Sequence, residues 1–200
     1  MGGVQSSELL LFPANAVLFP GVKLPLQIVE PRYLDMVAHC ARNECGFGVV
    51  YNGGAKGDLG LDLSGAGIGT GTEAWIVDFD QASNGILNVV TRGSRKFLLH
   101  ETSMQGGDLL AGRVDFLADE TPAPLMVEHA ALVDLLRALV LHPSVEVLDL
   151  QVNFDDALAV SFCLSHLLPI DAEMKQQLLE MTSPGERLAE LNEIVDRFQG

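Results

Sequence analysis

The stretch FPANAVLFPGVKLPLQIVEPRYLDMV, residues 12–37, decides the fold. Four prolines, Pro13, Pro20, Pro25 and Pro31, cut a mostly apolar run into short pieces. Proline ends helices and removes a ladder donor from strands, so each piece must be an element of its own or a turn. Residues 23–29 alternate, with Leu24, Leu26 and Ile28 on one parity and Pro25 on the other. That pattern fits an edge strand, or one beginning beside a bulge. Pro31 suits the first position of a helix, where its missing N–H has no helical partner. Leu34, Val37, Ala38 and Ala41 follow at helical spacing, and Gly46 marks the exit.

Outward from this segment the apolar period divides the chain. Up to about residue 118 it reads as strands: 9–12, 23–29, 47–51, 72–79, 86–91, 96–100 and 109–117. In 72–79, Ala74 and Ile76 alternate against Trp75 and Val77. Arg92-Gly93-Ser94-Arg95 has the composition of a hairpin turn between two of these strands. The glycine-rich run 52–71 reads as a long mobile loop. Short strands with turn signals between them predict a barrel or a curled sheet. After Asp119-Glu120-Thr121-Pro122 apolar residues recur every three or four, predicting helices over 125–141, 157–168, 172–181 and 186–198. Asp171 is placed as an N-cap and Ser183-Pro184-Gly185-Glu186 as a capping box, while Asp155 and Asp156 read as first-turn acids. The expectation is an α+β chain of two domains, residues 1–119 rich in strands and residues 120–200 a small helical bundle.

Composition narrows the function. Of 200 residues, 48% are hydrophobic and 20% charged, enough apolar material for a sizeable core. The net charge of −15 opposes binding to nucleic acid and to anionic membranes. Arg92, Arg95 and Lys96 form the one tight basic cluster and read as a solvated hairpin end. The longest apolar run, 122–143, carries Glu128, His129, Asp134 and Arg137, so it reads as a soluble helix and not a membrane span. Three cysteines, an odd number, and no leader sequence fit free thiols in a reducing cytoplasm.

Motifs for chemistry fail one by one. GAGIGTG, residues 65–71, has glycine at every second position and no following Gly-Lys-Ser/Thr, so it is not a phosphate loop. His39, Cys40 and Cys45 lack the second pair a zinc site needs; two thiols near a helix end, one packed inward, is the ordinary account. Cys163 and His166 can share a helix face, but the residues around them offer apolar packing and no oxyanion site. The expectation is no enzyme, no metal and no cofactor.

Ordered blocks of sequence carry a resemblance. Phe12-Pro13, Leu18-Phe19-Pro20-Gly21, Leu24-Pro25-Leu26 and Glu30-Pro31-Arg32-Tyr33 resemble the start of the Lon protease N-terminal, or substrate-binding, domain. Gly46-Phe47-Gly48-Val49-Val50, Gly69-Thr70-Gly71-Thr72, Ile76-Val77-Asp78-Phe79, Thr91-Arg92-Gly93-Ser94-Arg95-Lys96-Phe97 and Leu167-Leu168-Pro169 follow in the same order, as do Lys175-Gln176 and Leu178-Leu179-Glu180. The likeness runs over about residues 8–192. It departs at Ala14, where some members have a second proline, and at Trp75, where a smaller or aliphatic residue is usual. The resemblance implies a PUA-like β pseudo-barrel with one inserted helix, followed by a helical bundle. Without the ATPase and Ser-Lys peptidase domains of full Lon proteases, it implies a stand-alone bacterial Lon-domain protein. Such a module binds polypeptide substrates or a protein partner in protein quality control; a small-molecule or RNA-binding PUA-like module is the alternative. Glu30, Arg32 and Tyr33, at the strand-to-helix junction, are the candidate partner-binding residues. The competing structural role for them is an internal Glu30–Arg32 ion pair with Tyr33 packed over the barrel end.

Overall fold

Strands form where apolar side chains alternate, and the curled sheet then buries one face of each. The computed structural model describes residues 6–53, 69–82, 86–106, 109–146 and 148–199. It comprises two units, Met1–Ala118 and Asp119–Gly200, each with its own core. The first contains β1 (Ser6–Ala14), β2 (Lys23–Ile28), α1 (Pro31–Asn43), β3 (Phe47–Tyr51), β4 (Gly69–Gln81), β5 (Leu87–Gln105) and β6 (Leu109–Phe116). Strand order is β2-β5-β4-β3-β1-β6, and β6 also pairs with the second half of β5, so the sheet curls into a pseudo-barrel. β1 and β3 run parallel; the other pairs are antiparallel. With the helices of the second unit this is the expected α+β class.

The prolines fall where the ladder tolerates them. β2 stands at the end of the strand order, and Pro25 lies exposed within it. Pro13 lies in the part of β1 that pairs with β3 alone, since β6 covers only Ser6 to Leu10. Pro31 opens α1, whose Tyr33, Met36, Val37 and Cys40 pack with Leu24, Leu26, Ile28, Phe47 and Val89. A second cluster joins Leu11, Val50, Phe97, Leu99, Leu110 and Val114.

The expected hairpin at Arg92-Gly93-Ser94-Arg95 is not there. β5 runs unbroken through it for 19 residues. Gly93 serves a close approach instead of a turn: a Cβ there would lie 2.2 Å from the Phe19 carbonyl oxygen. The Pro20-Gly21 loop crosses over the strand at this point. Gly21 N–H donates to the Gly93 carbonyl (2.9 Å) and Gly93 N–H donates to the Val22 carbonyl (3.0 Å). Thr72 Oγ1 and Thr91 Oγ1 donate to the carbonyls of Leu18 and Leu24, fastening the same crossing. The basic cluster is accordingly no solvated hairpin end: Lys96 is buried, and Arg95 lies over the Phe116 ring (3.8 Å) and 3.4 Å from Glu73. The expected mobile loop falls largely on 54–68, outside the described residues. Its last three, Gly69 to Gly71, are strand, and a Cβ on Gly71 would meet the Phe97 ring at 2.3 Å.

The second unit contains α2 (Ala130–Val140), α3 (Pro143–Glu146), α4 (Ala157–Leu167), α5 (Ala172–Glu180) and α6 (Pro184–Gln199). The first helix starts later than the period implied, after the 3-10 turn Val127–His129. Pro124 is bridged to Asp156 in extended form, and His129 Nδ1 accepts the Met126 N–H at 3.2 Å. Asp156 caps α4 instead of sitting in its first turn: its carboxylate accepts the N–H of Leu158 and of Ala123. Asp171 caps α5 through the Met174 N–H, and Ser183 Oγ accepts the Glu186 N–H at the start of α6.

Candidate functional site

The junction of β2 and α1 brings the three sequence candidates together. Glu30 occupies the N-cap of α1 in extended conformation, yet its side chain caps no helical N–H. The Glu30 carboxylate instead meets the Arg32 guanidinium at 2.5 Å. Arg32 also lies 4.9 Å from the Tyr33 ring centroid. Tyr33 is 7% exposed and stands edge-on to Phe12 at 4.8 Å, so its ring belongs to the core. Its buried bulk leaves Arg32 and Glu30 as the reachable part of the cluster.

Arg32 borders two concavities. One, about 260 Å³, lies between Phe12, Gln27, Glu30 and Asn52. The other, about 770 Å³, runs along α1, where Arg32, Asp35, His39 and Arg42 recur at helical spacing opposite Glu8 and Leu109. Both signs of charge line this groove. Asn43 Nδ2 stands 3.3 Å from His39 Nδ1, and Arg42 Nε donates to the Ala38 carbonyl at 3.0 Å.

A different surface was not singled out in the sequence. β4 presents Trp75 (40% exposed), Val77 (47%) and Phe79 (64%). Val77 is the extra residue of a bulge, since Ile76 pairs with Thr91 and Asp78 with Val90. A bulge re-aims side chains and raises local twist. Asp78 and Asp80, both exposed, interleave with the apolar residues. The signal was present: both parities of this strand are apolar, which a strand with one face on the core does not require.

The Cys163–His166 pair has the electrostatics of packing. Burial raises the Cys163 thiol to about 11. Burial, helped by the Lys175 charge, lowers His166 to about 4. An activated dyad needs the opposite shifts, toward thiolate and imidazolium. Among the described residues no group of three or more His, Cys, Asp or Glu is placed to hold a metal ion. No described helix is long and apolar enough to cross a membrane.

Comparison with known proteins accounts for this architecture. The family model described as the ATP-dependent protease La (LON) substrate-binding domain matches residues 8–197. Lon proteases of Parabacteroides distasonis and Cytophaga hutchinsonii are each 28% identical over 92% of the chain, which spans 23% of their length. The solved Lon N-terminal domain protein from Xanthomonas campestris is 31% identical, with a TM-score of 0.73 and coverage of 92% of this chain and 96% of that one. The N-terminal domain of the Mycobacterium avium complex Lon protease shares the fold at 18% identity and a TM-score of 0.63, with the same coverage. Family model, relatives and solved fold agree over nearly the same residues: the chain belongs to the Lon substrate-binding domain family.

Proposed function

We propose that the protein is a non-catalytic module that binds extended polypeptide in a cytoplasmic proteolytic context, and that β4 supplies the contact. The exposure of Trp75, Val77 and Phe79 along one strand carries this reading, the bulge at Val77 turning Trp75 and Phe79 to opposite faces of β4. An extended segment laid along β4 would cover apolar side chains on both faces of the strand. Asp78 and Asp80, beside them on the strand, favour segments that mix apolar with basic residues. β2, at the end of the strand order, offers a further edge for strand addition. Each large apolar contact is worth about 1.5–3 kcal/mol when buried, so two such anchors separate binding from background.

The test is titration of the purified chain against a reduced, unfolded polypeptide, read by fluorescence anisotropy. Trp75→Ala with Phe79→Ala is expected to weaken binding at least about tenfold at an unchanged melting temperature. If no polypeptide, folded or unfolded, binds above background, the reading fails. Arg32→Ala asks the same of the junction. Lost binding at constant melting temperature makes Glu30, Arg32 and Tyr33 part of the site; a lower melting temperature with intact binding makes them scaffold. A small-molecule role is the second reading. The α1 groove of about 770 Å³ falls in the range of ligand sites and carries Arg32, His39 and Arg42.

A further inference from the structure

Helix α1 ends at an unusual pair of side chains. Glu44 takes the left-handed conformation (φ 49°), and its N–H bonds back to the Cys40 carbonyl. The next N–H, that of Cys45, donates to the same carbonyl at 3.2 Å. This is a Schellman-like stop, the turn that normally sets two apolar side chains against each other at these positions. Here both are cysteine. The shared carbonyl holds the two Cα atoms within about 7 Å, at the reach of a disulfide, and Cys40 Sγ points toward the same stop, donating to the Gly46 carbonyl at 3.9 Å. Both are free thiols. Cys40 is buried among the residues that α1 packs on, whereas Cys45 is only half-buried.

We propose that Cys40 and Cys45 are a redox-responsive pair that closes into an intramolecular disulfide on exposure to a peroxide. The asymmetry in exposure assigns the roles. The Cys45 sulfur meets the oxidant first: as thiolate it attacks one peroxide oxygen, the O–O bond breaks, hydroxide or an alkoxide leaves, and a sulfenic acid remains. The Cys40 sulfur then attacks the Cys45 sulfur. Its proton departs with the sulfenic hydroxyl as water, and the S–S bond forms. Overall two thiols lose two protons and two electrons, and the peroxide is reduced to water, or to water and an alcohol. Burial, then the neighbouring Cys45 charge and hydrogen bond, raise Cys40 to about 12. A thiol held protonated attacks slowly in bulk, so Cys40 depends on contact with Cys45 to act, and an external thiol reopens the bond.

The position gives the bond a neighbour that would register it. Gly46, next in sequence, is wedged against β4: a Cβ there would lie 2.9 Å from Glu73 Cγ and 3.2 Å from Trp75 Nε1. Cys163 provides the internal control, a buried cysteine in the other unit.

The experiment exposes the full-length chain to hydrogen peroxide in small excess. It is then quenched by unfolding in an alkylating reagent, and the modified peptides are mapped. Titratable thiols are expected to fall from three to one, with loss of two hydrogens in mass and Cys40 crosslinked to Cys45; dithiothreitol restores all three. In Cys45→Ser, whose changed side chain is half-buried, Cys40 is expected to stay titratable under the same exposure. The proposal is overturned if all three thiols persist, if Cys45 is consumed alone while Cys40 stays titratable, if the crosslink joins two chains, or if Cys40 is lost equally fast in Cys45→Ser.

Discussion

The two units differ in how completely they enclose an ion pair. In the second, Arg187 is fully enclosed and every arm of its guanidinium is used. Nε donates to the Leu178 carbonyl (2.8 Å), one terminal nitrogen to Ser161 Oγ (3.1 Å), and the other to the Glu120 carboxylate and the Met181 carbonyl. Its Cζ lies over the Phe162 ring, 4.3 Å from the centroid. In the first unit the pairs Glu30–Arg32, Arg113–Glu101 and His100–Asp115 sit at the rim, where water competes for every partner. A buried ion pair contributes little relative to an apolar isostere, but breaking it strands a charge without solvent. An exposed pair contributes little and costs little to lose. The second unit thus locks one arginine inside a complete set of partners, while the first, which buries Glu73 and Lys96, keeps these three pairs and its apolar strand available.

Breaking the enclosed charge should have the largest effect. Arg187→Ala leaves the Glu120 carboxylate, the Ser161 hydroxyl and two helix-end carbonyls without their donor. It is expected to cost about 3–5 kcal/mol in chemical denaturation. Arg187→Lys should recover only part of this, because an ammonium cannot satisfy a planar set of acceptors. If Arg187→Ala matches the parent in denaturation midpoint, the contrast between the units collapses.

The next largest effect lies in the first unit and is steric. Gly93→Ala places a Cβ on backbone, not on a side chain that can swing away. Overpacking of this kind costs about 1–3 kcal/mol. Gly69→Ala, with nothing near its Cβ, is the matched control and should stay within about 0.5 kcal/mol of the parent.

These two sites also show how far the sequence could be read. Strands 23–29 and 47–51 and the helix from Pro31 were legible because Pro and Gly punctuate them and the apolar period changes across them. Gly93 was not, since Arg-Gly-Ser-Arg has the composition of a turn, and only the remote Phe19 carbonyl explains why glycine is required. The caps at Asp171 and Ser183 were local and therefore readable; the cap at Asp156 also serves Ala123, 33 residues away, and was not. Arg187 carried a faint signal. It shares the helical spacing of Leu191 and Ile194, so it lies on the stripe that faces the core, but Glu120 is 67 residues distant. At the candidate site, the Glu30–Arg32 pair and the packing of Tyr33 follow from short-range chemistry. Apolar residues on both parities of β4 hinted at exposure on one face, but that Trp75 and Phe79 are the exposed ones depends on where β4 runs beyond β3, which no window of sequence contains.

Acid should separate the units again, with smaller effects and in different ranges of pH. His166 has its pKa lowered to about 4 by burial and by Lys175, against 6.5 unperturbed. Below pH 6.5 the unfolded chain takes up a proton that the folded chain does not. Its contribution is therefore complete above pH 6.5 and is lost as pH falls from there toward 4. Because the ring is partly exposed, a loss of about 2 kcal/mol is expected, and His166→Gln should flatten that part of the profile. Asp115 behaves as an acid at the rim: the Ser6 hydroxyl, and then His100, hold its pKa below the usual carboxylate value. Its contribution is present above the unfolded pKa of 3.8 and is lost only as pH falls further, through the folded value. Ser6→Ala removes the largest of these interactions and should lower the profile slightly above pH 5, with a shallower acid limb, because less is left to lose as Asp115 protonates. Denaturation followed from pH 8 to 3 by backbone circular dichroism reads both. A His166→Gln profile that still falls between pH 6.5 and 4 would show that some other group governs the loss assigned to the helical unit.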